Sequence, residues 1–397
     1  MEIRKDQRRR PSKWSAELSG RRLSFRCLPT EEAWCDLVPY DIEALPANLR
    51  PVAARLSESI TFSESITKGA NGHVLIGHHR LLERMVVVKF YYWGDGVHIE
   101  PAMLARLESA HVLKVDHAEA VDADDAFFIT RYCSAGDLDD ELATRVFGPV
   151  EAIDALLQFG AGVSYLHGEG YVHRDLKPSN LFVTDDGSRV IGDFGSVVRI
   201  GEDDVANSLS KHSIIYRPPE DFVGNQFYRQ GDIYQLGMVL YQLLGGVLPY
   251  EIENWLTPRQ IAIGAALDDF DRQAFYNSSI EALIRKGNVL KLESLPPYVP
   301  DTLKRVIRKA CHLDKDSRYP TAADLLATLN NIRRRVFDWR IDNGVLTLRN
   351  RNRIYRIVPA GSQFHIEKQV SVGWRRQREL VSDTIVGAIT NVERTIA

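Results

Sequence analysis

The chain has little sulfur, with four cysteines and four methionines in 397 residues. Cys27, Cys35, Cys133 and Cys311 form no Cys-x-x-Cys pair and no dense framework. That excludes a disulfide-stapled scaffold and suits a reducing, cytoplasmic setting. A charge excess is also missing, since 50 Lys and Arg stand against 53 Asp and Glu for a net charge of -3. A bulk polyelectrolyte partner is therefore not expected. The most apolar stretch, "IYQLGMVLYQLLGGVLPY", is interrupted by Gln235, Gln242 and a glycine pair. It reads as a buried helix, and no membrane partner is expected. The basic opening, "MEIRKDQRRRPSKW", lacks the apolar run of a secretory signal.

What is present is ordinary globular material, 44% hydrophobic and 26% charged, in a chain long enough for two or three folding units. Chemistry concentrates in "YVHRDLKPSN", Tyr171 to Asn180, followed by "LFVTDDGSRVIGDFG". There two apolar runs flank Asp186-Gly187, a strong hairpin signal. Folding back symmetrically about that dipeptide would set Asn180 opposite Asp193. An amide and a carboxylate at the open end of a hairpin suit Mg²⁺, which takes few protein oxygens and fills its shell with phosphate and water. Just upstream, the Asp175 carboxylate can orient or deprotonate a hydroxyl while the Lys177 ammonium neutralises charge on a transferring phosphoryl group.

These residues resemble the catalytic loop and metal site of eukaryotic-type serine/threonine protein kinases: His173-Arg174-Asp175, Lys177, Asn180 and Asp193-Phe194-Gly195. The resemblance implies an enzyme that moves the γ-phosphate of ATP, with Mg²⁺, to Ser or Thr of a protein substrate. Asp175 is then the catalytic base, Lys177 contacts the γ-phosphate, and Asn180 and Asp193 hold the metal. It further implies a bilobal α+β fold, with a small antiparallel β lobe over residues 59–132 and a large helical lobe over 133–335.

The rest of the chain supplies matching parts in the same order. "ITKGANGHVLIG" places a glycine turn between two strand-like runs, where backbone amides can approach phosphate. By resemblance Thr67, Gly69, Gly72, Val74 and Val87 belong to the nucleotide-binding set, with Thr67 replacing the family's first glycine. "RMVVVKF" ends in Lys89, matching the strand lysine, and Glu100 is its expected carboxylate partner. Pro101 would set Glu100 at or before the first helical turn, with Leu104 and Leu107 behind it. In "ITRYCSAGDL" the resemblance makes Thr130 the gatekeeper, gives Cys133 backbone contacts to adenine, and lets Asp137 reach the ribose.

Further on, "HSIIYRPPED" resembles the segment closing the activation loop, with Glu220 expected to pair with Arg318 in "LDKDSRYPTAADLL". "DIYQLGMVLYQLL" reads as a central helix starting at Asp232. Arg174 and the serines Ser208 and Ser210 imply regulation by loop phosphorylation. Small-molecule phosphotransferases share the Asp and Asn arrangement but usually lack the Pro-Pro-Glu segment.

The flanks follow other patterns. Residues 1–58 suggest a hairpin around Ser19-Gly20 and then, in "LPANLRPVAARL", an extended linker leading into a short helical piece. From 336 to 397 the period changes from 3.6 to 2, with a turn at Asn343-Gly344 and a closing amphipathic helix, so a small β-meander and helix module is expected. Its arginine-rich strands, "RNRNRIYR" and "WRRQR", suit a solvated face, or a protein partner, better than nucleic acid. The rival from another class is a catalytically silent kinase-like binding module.

Overall fold

The computed structural model of the protein describes residues 40–66, 72–94, 99, 101–201, 203–207, 213–342, 344–350, 353–371 and 373–396. The N-terminal hairpin expected around Ser19-Gly20 lies outside them. The helix α1 (Arg50–Leu56) and the tight turn before it, Ile42–Ala44, lead into the small lobe. There β1 (Ile60–Ile66), β2 (Val74–His79), β3 (Arg84–Tyr92), β4 (Val115–Ala120) and β5 (Asp125–Arg131) form one antiparallel sheet in the order β1-β2-β3-β5-β4. Leu45, Leu49 and Ala53, in the stretch read as a linker leading into a short helical piece, are buried with Phe62, Leu75, Val88 and Phe127. That stretch therefore covers one face of the sheet. Polar ties reinforce it, with Asn48 Nδ2 donating to Asp125 at 2.7 Å and Arg55 pairing with Glu119 at 2.8 Å.

Between β3 and β4 lies α2 (Pro101–Leu104), a single turn. Leu104 and Leu107, expected along one helical face, are both buried, but Leu107 lies beyond the helix. The chain beyond has another task. The Leu113 N–H donates to the Ile191 carbonyl and the Ile191 N–H to that of His111, tying the connection to the large lobe's hairpin.

Residues 132–136 cross to the large lobe. Asp137 caps α3 (Leu138–Thr144) through a reciprocal box with Asp140. Pro149 opens α4 (Pro149–Gly168), where a missing N–H costs nothing. The strand β6 (Tyr171–Val172) precedes β7 (Leu181–Val183) and β8 (Arg189–Ile191), which form the hairpin. Two-residue ribbons follow, β9 (Val198–Arg199) on β6 and β10 (Ala206–Asn207) on β11 (Gln226–Phe227). The helices α5 (Arg229–Leu243), α6 (Pro258–Ala265), α7 (Asp269–Arg285), α8 (Asp301–Ala310) and α9 (Ala322–Arg333) complete the lobe. Helix α5 begins three residues before the expected Asp232, and its middle is buried on every side.

Arg318 and Glu220 meet as expected from the sequence, in two parallel contacts of 2.8 and 2.6 Å. The guanidinium also donates to the carbonyls of His312 and Gln230, so the buried charge is satisfied.

The C-terminal module is a five-stranded antiparallel meander in sequential order: β12 (Asp338–Asp342), β13 (Val345–Asn350), β14 (Arg353–Ala360), β15 (Gln363–Val370) and β16 (Gly373–Ser382). Helix α10 (Ile385–Ile396) packs across it through Ala388, Ile389 and Val392. Trp339, Leu348, Tyr355 and Ile357 belong to the same buried cluster as the large lobe. The seam is close: a Cβ on Gly148, just before α4, would fall 1.9 Å from the Trp339 carbonyl oxygen.

Candidate functional site

The predicted hairpin forms, but its register differs by one residue from the symmetric expectation. Leu181 faces Ile191 and Val183 faces Arg189, so Asn180 stands opposite Gly192, whose N–H donates to the Asn180 carbonyl at 3.0 Å. The cause is the turn. It is not a two-residue loop on Asp186-Gly187. Thr184 and Ser188 close it by a backbone bond, and Gly187, at φ +81°, supplies the left-handed step. Asn180 and Asp193 nonetheless line one cavity.

That cavity, about 480 Å³, lies between the lobes. Val74, Val87, Phe128 and Thr130 line it from the small-lobe strands, and Cys133 and Asp137 from the crossing to the large lobe and the cap of α3. Lys89, Lys177, Asn180 and Asp193 supply its polar end. The cleft thus brings together nearly all the predicted residues that are described. Burial pushes the Cys133 thiol up to about 11, so it stays protonated near neutral pH. Gly72 borders the small-lobe sheet at φ +120°, where an added Cβ would lie 1.9 Å from the Phe90 carbonyl oxygen. Thr67, Gly69, Glu100, Ser208 and Ser210 lie outside the described residues, as does the expected Lys89–Glu100 pair. The described partner of the Lys89 ammonium is the Asp193 carboxylate. Asp193 sits at φ +59° and Arg174 at φ +71°, left-handed backbone held by the surrounding packing at the two ends of the site.

Asp175 is buried and unevenly solvated by the protein. Its Oδ2 accepts from Lys177 Nζ at 2.8 Å and Asn180 Nδ2 at 3.0 Å, whereas its buried Oδ1 has no hydrogen-bond partner. Burial works against the Lys177 charge, but Asp175 and Asp193 outweigh it and hold that pKa above the usual lysine range. Asp193 likewise resists burial, because Lys89 and Lys177 hold its carboxyl below the usual range. Phe194 is fully buried, edge-on to Phe128 at 6.0 Å, which anchors the Asp193 backbone from below.

Two positioning groups escaped the sequence reading. The buried Asp232 carboxylate accepts the N–H groups of His173 and Arg174 at 2.9 and 2.8 Å and contacts His167 Nε2 at 2.8 Å. Gln235 accepts from the Leu176 N–H and donates to the Arg174 carbonyl. Together they fix the backbone that carries Asp175. A carboxylate and an amide facing inward from an otherwise apolar helix were the available signal.

Residues 60–329 match the protein kinase domain family. The chain belongs to that family. Among known proteins it is similar to the serine/threonine-protein kinase PrkC of Bacillus subtilis (strain 168), 26% identical over 290 residues, covering 70% of this chain and 41% of that protein. Similarity to the serine/threonine-protein kinase pkn2 of Myxococcus xanthus is 29% over 221 residues, covering 50% of this chain and 26% of the relative. The interferon-induced, double-stranded RNA-activated protein kinase of Mus musculus is 27% identical over 225 residues, covering 52% of this chain and 43% of the relative. The chain therefore spans less than half the length of these relatives.

Proposed function

We propose that this kinase-family chain is an active protein serine/threonine kinase, with ATP as phosphoryl donor and Asp175 as base. The observation that carries the reading is the orphaned Asp175 Oδ1. A buried carboxylate oxygen without a donor is costly, and a substrate hydroxyl is the donor that would satisfy it. Asn180 and Lys177 hold the opposite oxygen and leave Oδ1 uncommitted. Lys177 and Lys89 set two ammonium groups along the cleft, where phosphate charge would lie.

The donor set also suits Mg²⁺. Both Nδ2 bonds of Asn180 go to Asp175, leaving its amide oxygen for a cation beside the Asp193 carboxylate. Among the described residues no group of three His, Cys, Asp or Glu is assembled, as fits an ion that relies on phosphate oxygens and water. When bound, the ion supplies charge neutralisation on the phosphates. Asp193 and Asn180 would hold it, Lys89 would exchange Asp193 for α- and β-phosphate oxygens, and Val74, Val87 and Cys133 would enclose the base. We assign residues 59–335 to the kinase and 336–397 to an accessory domain, and read loop phosphorylation as its control. No helix among the described residues is long and apolar enough to cross a membrane. The sparse, scattered cysteines support a cytoplasmic site of action.

The test is transfer of γ-phosphate from ATP with Mg²⁺ to generic Ser/Thr substrates, comparing the protein with Asp175→Asn. The expected loss is about 10²-fold or more. Transfer by neither protein would move the function to a kinase-like binding module, and equal transfer would remove Asp175 as base.

A further inference from the structure

We propose that the seam between the large lobe and the C-terminal sheet is a binding site for a small organic anion, an apolar body ending in a carboxylate or phosphate. A cavity of about 660 Å³ opens there, within the range of small-molecule pockets. Its walls come from both parts of the chain. Tyr298 approaches from the turn before α8, Ile332 from α9, Val336 and Phe337 from the connection, and Trp339 from β12.

Three observations define the ligand. The Tyr298 side chain is buried, and its hydroxyl has no hydrogen-bond partner. A buried, unpaired phenol is costly unless something completes its bonding. Arg334 and Arg335 also line the cavity, and among the described residues their exposed side chains make neither a hydrogen bond nor an ion pair. Their neighbour Arg333, by contrast, is held by Asp154 on α4. Glu393 from α10, the one acid in the lining, accepts the Trp339 indole N–H at 2.8 Å. Two uncommitted guanidinium groups beside an apolar wall favour an anionic head on an apolar body. This inference does not depend on phosphoryl transfer.

The site can be read with 8-anilinonaphthalene-1-sulfonate, an aromatic anion that fluoresces in apolar surroundings, titrated into the full-length protein. The expected result is one saturable site from which decanoate displaces the probe better than decanol does. Saturating adenosine 5′-(β,γ-imido)triphosphate leaves that signal in place. An Arg334→Gln/Arg335→Gln variant, altering exposed and unpaired side chains, keeps its unfolding midpoint and binds the probe about tenfold more weakly. Tyr298→Phe, which removes only the hydroxyl, also weakens binding and gives a second reading if the double variant misfolds. Absence of saturable binding, displacement by the nucleotide analogue, or unchanged affinity in both variants would overturn the assignment.

Discussion

Asp193 keeps its negative charge against burial because Lys89 and Lys177 stand beside it. A carboxyl held below its unfolded value contributes stability above the unfolded pKa, about 3.9, and loses it as pH falls through the folded value. Lys89→Met should therefore destabilise the protein by about 2 kcal/mol at pH 7, between the values for exposed and fully buried pairs. The gap from the unsubstituted protein should narrow as the pH drops below about 4. Urea unfolding across that range checks it, and a gap independent of pH would remove the pair as its source. The meeting of Lys89, Lys177, Asn180 and Asp193 in the cleft, with Asp175 bonded to Lys177 and Asn180, was legible at this scale because these residues lie in short, chemically distinctive runs of sequence. Asp232 and Gln235 were not, since they act on backbone groups remote in sequence and their own neighbours look like core.

Individual elements show how far pattern reading reaches. An Asp-Gly pair between apolar runs located the β7–β8 hairpin, but the left-handed step at Gly187 sets a longer closing turn and so shifts the register. Leu104 and Leu107 have helical spacing and are both buried, yet α2 stops after one turn, and the following chain is tied through His111 and Leu113 to Ile191 of the large lobe's hairpin. Helix α4 offers a sharper test. Gly148 precedes it in an ordinary conformation, φ -77°, so any penalty for a side chain there is steric. Because the added Cβ would meet the Trp339 carbonyl oxygen, Gly148→Val must push β12 away, at about 3 kcal/mol. Gly168 ends the same helix with nothing within 4 Å of an added Cβ. Gly168→Ala should be neutral or slightly stabilising. Thermal unfolding of both variants makes the comparison, and equal effects would mean that β12 does not bear on α4 at this point.

Across the whole molecule, the sequence separates two periodicities at about residue 336 but does not say how the two parts meet. Period-2 alternation marks which side of a strand is buried without naming what lies against it. The structure answers through Trp339, fully buried and bonded to Glu393 within its own module, while its carbonyl presses on the segment opening α4. With Trp339, Leu348 and Tyr355 in the same cluster as α4 and α5, the C-terminal sheet continues the core of the large lobe. Such continuity predicts cooperative loss of both parts: far-ultraviolet circular dichroism and tryptophan fluorescence should report coincident unfolding of the large lobe and the C-terminal sheet. Trp339→Ala should lower the stability of that joint unit by about 3–5 kcal/mol. If only the C-terminal sheet melted early in the variant, leaving the large-lobe transition where it was, the two would be separate folding units. A shift of the whole transition would instead show that the kinase lobe draws part of its stability from residues beyond its family boundary.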